Sequence, residues 1–177
     1  MRPISRSLYF IFIAAFALAF SGCGDSDIGR RAEKEAPKPV KEEVRLKPFK
    51  ITAFDGRPLS IDDLKGSPVV LNFWASWCGP CRFEAETLEK GYRAFKPSGV
   101  KFVGVAIQDR ESDARDFLKE FKITYPNGLD ATDAVSNDYN VLGVPITIIA
   151  DRGGVVRYTH LGVITEDVMA REIKKVL

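Results

Sequence analysis

An apolar β run, Pro68 to Trp74, leads after three residues into Cys78-Gly79-Pro80-Cys81, and a helical pattern starts at about Pro80 and continues to Phe95. Near-continuous hydrophobicity marks a strand covered on both faces, and a helix directly behind it implies a crossover to a parallel neighbour. Lys96-Pro97 and Gly99 stop that helix, and Val100 to Ile107 supplies the second strand of a βαβ unit. Ser112 is placed to open a helix through about Phe121, and Thr132 another through about Tyr139. Pro145 then leads a strand, Ile146 to Ala150. Asp151-Arg152-Gly153-Gly154 reads as a hairpin turn, Val155 to His160 as its partner strand, and Thr165 to Leu177 as a closing helix. In front of all this, Phe49 to Phe54 and Arg57 to Ser60 read as two short strands about Asp55-Gly56, with Ser60 capping a brief helix that ends at Gly66. The expected order is βαβ, a helical connection, then ββα, preceded by extra strands.

Two thiols separated by two residues at a helix start can close a disulfide. At the first turn Cys78 meets unsatisfied backbone N–H groups and the positive end of the helix dipole, which favour thiolate over thiol. Pro80 suits this position because its φ is already helical and its missing N–H would have had no partner. Cys81, one turn inward, should be better shielded, which makes Cys78 the attacking and Cys81 the resolving thiol. A pKa lowered from about 8.5 to about 7 raises the thiolate fraction roughly 16-fold but costs about 5-fold in nucleophilicity, a net gain of only about 3-fold. Most of the advantage must come from holding the second sulfur beside the first. The same spacing is half of a zinc site, whose other ligands would have to be Cys23 and the lone His160. His160 is better read as a strand-end surface or packing residue, and no metal is expected.

The front of the chain reads as an address. Arg2 and Arg6 precede an unbroken apolar stretch, Leu8 to Phe20, which gives residues 1–22 the form of a secretory signal. As a helix the stretch would reach only about 20 Å, short of the ~30 Å hydrocarbon core. Phe20-Ser21-Gly22-Cys23 resembles the bacterial lipobox, with Phe20 where an aliphatic residue is usual, and the resemblance makes Cys23 the lipidated anchor. An ordinary signal or an uncleaved anchor gives the same destination outside the cytoplasm. Residues 23–47, rich in charge and containing Pro37 and Pro39, read as a solvated tether, and residues 48–177 as the folded domain. Without Arg2 and Arg6 the basic and acidic residues number 24 each, so there is no basic excess to suggest a nucleic-acid partner.

Asn72-Phe73-Trp74-Ala75-Ser76-Trp77-Cys78-Gly79-Pro80-Cys81 resembles a thioredoxin-superfamily site, and the similarity extends over roughly Phe49 to Leu177. The signal, the tether, the extra front strands and the helical insertion before Pro145 resemble the membrane-anchored TlpA/ResA-like branch. The resemblance implies an α/β thioredoxin-like fold, a central mixed sheet flanked by helices, and a thiol:disulfide oxidoreductase working outside the cytoplasm without a cofactor beyond its dithiol. Gly79-Pro80 between the cysteines matches thioredoxin itself, a reductant at about −270 mV. The partners implied are cysteine-containing proteins, apocytochrome c among them, and a membrane electron donor.

The resemblance also assigns residues. Gly143-Val144-Pro145 is similar to the family's cis-proline loop, in which the backbone of Val144 hydrogen-bonds an extended substrate. Trp77, Gly79 and Pro80 line the face around the dithiol, while Phe73 and Trp74 belong to the core. Asn72 stands where thioredoxin has a buried aspartate, and asparagine cannot ionise. In the TlpA/ResA-like branch the proton task falls to a glutamate three residues after the second cysteine, here Glu84, on the same helical face as Cys81. Glu86 and Glu89 read as surface residues. Ile146 replaces the threonine common in the branch. Two further readings stand beside this one. One is a thiol peroxidase, although Leu71 and Ala75 occupy the positions such a motif needs; the other is a non-catalytic peptide-binding module on the same fold.

Overall fold

The computed structural model describes residues 43–177. The signal segment 1–22, Cys23 and the tether as far as residue 42 lie outside the described residues. The elements in chain order are β1 (Lys50–Thr52), β2 (Pro58–Ser60), a 3-10 turn (Ile61–Leu64), β3 (Val69–Trp74), α1 (Gly79–Phe95), β4 (Lys101–Ile107), α2 (Glu111–Glu120), β5 (Asn127–Asp130), α3 (Ala134–Asp138), β6 (Ile146–Ala150), β7 (Val156–Leu161) and α4 (Glu166–Lys174).

One sheet, ordered β5-β4-β3-β6-β7, organises the domain. β3, β4 and β5 run parallel, with Val69 opposite Lys101 and Gly104 opposite Asn127, while β6 and β7 are antiparallel to their neighbours. β3 is buried at every position, as a central strand between two covered faces must be. Its alternation divides the core. Val70 packs with Leu88 of α1, Ile149, and Met169 and Ile173 of α4. Leu71 and Phe73 point the other way, into a cluster with Val103, Val105, Leu59 of the front hairpin, Ile61 and Val135.

The sequence expectations hold for the mixed sheet, the front strands and the order of helices around it. Lys96–Ser98 adds a 3-10 turn to the end of α1 before Gly99, at φ 84°, turns the chain. The Thr165 hydroxyl caps α4 as its place in sequence suggests.

Three points differ. The connection expected to be wholly helical contains β5, whose Pro126-Asn127-Gly128 lead-in has turn chemistry. Tertiary contacts override that propensity. A Cβ on Gly128 would lie 2.7 Å from the Thr52 carbonyl, so only glycine lets the front hairpin pair there, through the Ala53–Gly128 bridge. Helix α2 begins at Glu111 with Ser112 already inside it and no side-chain cap, and helix α3 begins at Ala134 and takes no cap from Thr132. Instead the buried Asp130 carboxylate accepts from the amides of Val135, at 3.2 Å, and Ser136, at 2.7 Å. Finally, the end of the stretch read as tether belongs to the domain: Arg45 bridges Val155, and the Leu46 amide donates to the Gly154 carbonyl at 2.9 Å.

Candidate active site

β3 ends at Trp74, the Cys78 amide turns back onto the Ala75 carbonyl at 3.2 Å, and α1 starts at Gly79 with Cys78 as its N-cap. The Cys78 sulfur takes the place of the usual capping oxygen and accepts from the Cys81 amide at 3.1 Å. Cys78 and Cys81 are joined as a disulfide with Cα atoms 5.3 Å apart. Both are buried, at 4% and 2% exposure, so the expected difference in shielding is small. Trp77, Gly79 and Pro80 are exposed beside them, and Phe73 and Trp74 are core residues.

The Val144–Pro145 peptide bond is cis, as the resemblance implies, and the Val144 carbonyl lies 3.6 Å from Cys78 Sγ. The Val144 amide makes no backbone hydrogen bond among the described residues. A cleft of about 440 Å³ opens beside this loop between Leu142, Pro145, Ile146 and Leu161. Leu142 stands almost fully exposed at its rim, Leu161 is exposed on the opposite side, and Trp77 and Phe83 flank the two cysteines in sequence, also exposed. Apolar side chains left in water around a reactive pair are the mark of a docking face.

Beneath the cysteines lies a buried polar network. Asn72 Nδ2 donates to Glu84 Oε1 at 2.9 Å and to Thr147 Oγ1 at 3.1 Å, and the Ile164 amide donates to Glu84 Oε2 at 2.9 Å. Glu84 is 1% exposed with no cation among those partners. Burial raises its carboxyl from 4.5 to about 7, with the hydrogen bonds from Ile164 and Asn72 pulling the other way. A carboxyl in that range can exchange protons at neutral pH.

Glu89 is a correction. Read as surface, it is 6% exposed: its carboxylate accepts from the Thr124 amide at 2.8 Å, the Thr124 hydroxyl at 2.6 Å and Arg93 Nε at 2.7 Å. The partner that buries it comes 35 residues later, beyond the reach of any helical pattern. Glu86 is exposed as expected. His160 packs at the end of β7, hydrogen-bonded to Tyr158 Oη and the Val163 carbonyl. Sequence reading also missed Asp109, whose carboxylate grips the turn before Cys78. A lone aspartate after a strand carries no signal of that partnership.

Comparison with known proteins agrees with this geometry. Residues 43–159 match the AhpC/TSA family. The thiol-disulfide oxidoreductase ResA of Geobacillus kaustophilus is 30% identical over 128 residues, 72% of this chain and 74% of that protein. A thiol:disulfide interchange protein of the thioredoxin family from Chlorobium tepidum superposes with a TM-score of 0.72 at 26% identity, covering 77% of this chain and 98% of that one. A secreted disulfide oxidoreductase of Mycobacterium tuberculosis, described as homologous to E. coli DsbE, gives a TM-score of 0.67 at 25% identity over 72% of this chain and 95% of its own. With a thioredoxin-like sheet and a disulfide closed at the start of α1, the chain belongs to the AhpC/TSA family and is a thiol-disulfide oxidoreductase of the ResA and DsbE type.

Proposed function

We propose that the protein is an extracytoplasmic, membrane-tethered reductant of protein disulfides. Cys78 as thiolate attacks one sulfur of the substrate disulfide, forms a mixed disulfide and expels the other substrate sulfur as thiolate. Cys81 loses its proton to Glu84 and attacks Cys78 Sγ. The 78–81 disulfide closes, and the second substrate thiolate leaves. The substrate gains two electrons, which a membrane electron donor must restore to the dithiol; no cofactor beyond the dithiol enters the cycle. Apocytochrome c, whose haem-attachment cysteines must be reduced, is the substrate the resemblance suggests. The Val144 backbone holds an extended segment over Cys78, and Trp77, Gly79 and Pro80 line its path.

The observation that carries this reading is the pair of bonded sulfurs at the N-terminus of α1, facing the Val144 carbonyl. The secretory pattern of residues 1–22, with Cys23 as lipid anchor, supports the location, and so does the secreted Mycobacterium tuberculosis relative. Gly79-Pro80 supports the reducing direction. A peroxide site is disfavoured because Leu71 stands where such a motif has proline and Ala75, a fully buried apolar residue, where it has a threonine or serine hydroxyl.

Replacing the resolving sulfur tests the scheme. Cys81→Ser in the native host should leave Cys78 covalently joined to its client, released by a reducing agent and identified by mass spectrometry. A folded Cys81→Ser protein with no adduct would contradict it.

A further inference from the structure

Two loops meet at the end of the sheet where the dithiol lies. One is Ala75–Trp77, after β3; the other is Gln108–Arg110, after the adjacent parallel strand β4. The Asp109 carboxylate spans them. Oδ2 accepts from the Ser76 amide at 2.5 Å, and Oδ1 accepts from the Ser76 hydroxyl at 2.7 Å and from the Arg110 amide at 2.8 Å. The next residue is tied as well: Trp77 Nε1 donates to the Gln108 carbonyl at 2.9 Å, although the indole is 61% exposed. Gln108 itself has φ 49°, a left-handed conformation that a non-glycine residue adopts only when its surroundings impose it. Thus the two residues directly before Cys78 are fastened to the loop after β4 by three hydrogen bonds, two of them to a carboxylate, the stronger kind.

Nothing in packing alone requires this. Trp77 is not a core residue, and α2 begins at Glu111 without a side-chain cap from Arg110. The bonds converge on the turn that sets the direction of Cys78 Sγ and the plane of the exposed indole beside it. We infer that Asp109 is a positioning residue of the exchange reaction: through Ser76 it holds the turn that seats Trp77 and Cys78 for an extended protein substrate. This rests on the reading that Cys78 exchanges disulfides with proteins. A small disulfide needs only the sulfur, whereas a polypeptide disulfide must be aligned against Val144 and Trp77 at once, so the two kinds of substrate separate positioning from thiol reactivity.

The test compares the reduced full chain with its Asp109→Ala, Ser76→Ala and doubly substituted forms, using insulin as the protein disulfide and dithionitrobenzoate as the small one. Rates are taken across pH so that the high-pH plateau, where the thiol is fully ionised, can be read. Asp109→Ala should lower plateau kcat/KM for insulin about 10- to 100-fold, while the small disulfide reacts within about 2-fold of the unsubstituted rate. Ser76→Ala should lose part of the same effect and add little in the double variant. Asp109→Asn, which keeps one acceptor, should recover part of the insulin rate and serves if the alanine variant folds poorly. Parallel loss on both substrates, no loss on either, or fully additive losses would overturn the inference. If the unsubstituted protein fails to reduce insulin while Cys78 remains reactive to the small disulfide, the underlying functional reading fails and takes this one with it.

Discussion

Glu84 is the residue at which folding and chemistry make opposite demands. Its carboxyl is buried against Asn72 and the Ile164 amide without a cation, and burial lifts its pKa from 4.5 to about 7. Between those two values the folded protein holds a proton that the unfolded chain has released. Stability is therefore greatest below about pH 4.5 in this group's contribution and declines as pH rises through 7, by about 3 kcal/mol in all. Glu84→Gln should remove the decline. The substituted side chain fits because Asn72 can flip, offering its oxygen to the introduced amide and to the Thr147 hydroxyl. Urea unfolding of the oxidised protein at pH 5 and pH 8 measures this: the difference in stability between the two pH values should shrink by about 2.5 kcal/mol in the variant, and an unchanged difference would mean that Glu84 does not titrate there. Catalysis moves the opposite way, since the base must be ionised. Resolution of the mixed disulfide should rise with pH through about 7 in the unsubstituted protein. In Glu84→Gln it should lose that limb and slow by about 100-fold.

At the scale of elements, the fold depends on a few close approaches. Gly104 of β4 faces Asn127 of β5, and a Cβ there would overlap the Asn127 amide oxygen, the acceptor of the Trp74 indole N–H at 2.9 Å. Trp74 in turn stacks on Phe117 of α2, with ring centroids 4.4 Å apart. Gly104→Ala should push Asn127 away, leave the buried indole unpaired and cost about 3 kcal/mol. Gly91 of α1 makes a useful contrast, because its close neighbour is the flexible thioether end of Met169. Gly91→Ala also gains about 1 kcal/mol of helix propensity, so its net cost should be about 1 kcal/mol or less. Guanidinium midpoints of the two variants check the order; an equal loss would show that the sheet can yield at Gly104. These elements also separate what could be read in the sequence from what could not. β3 and α1 were legible because hydrophobicity, Pro80 and the two cysteines all point to one strand-to-helix junction. β5 was not, because Asn127-Gly128 carries turn propensity and becomes a strand only when β4 and the front hairpin pair with it. Glu89 and Asp109 were missed for a related reason: each is defined by a partner from a distant stretch of chain, Thr124 and Ser76 respectively.

At the scale of the whole molecule, residues before β3 reach both edges of the sheet. The Val44 carbonyl accepts from the Val156 amide of β7 at 2.8 Å, and the Phe54 amide donates to the Asn127 carbonyl of β5 at 2.8 Å. Open strand edges are thereby shortened on either side, while the end of the sheet that bears the dithiol keeps its exposed apolar rim. The direction of electron flow is also a property of the whole molecule. A reductant is a protein whose folded state favours its disulfide, whereas strong oxidants of this superfamily are stabilised in the reduced form. The oxidised protein should accordingly unfold at higher guanidinium concentration than the reduced one, and the reverse order would make it an oxidant. The claim beneath all of these is that Cys78 opens disulfides in other proteins. Insulin reduction followed by turbidity, with dithiothreitol as electron source, tests it most directly. The intact protein should accelerate the reaction catalytically and the folded Cys78→Ser variant should not exceed the uncatalysed rate, whereas equal activity in the two would contradict the account.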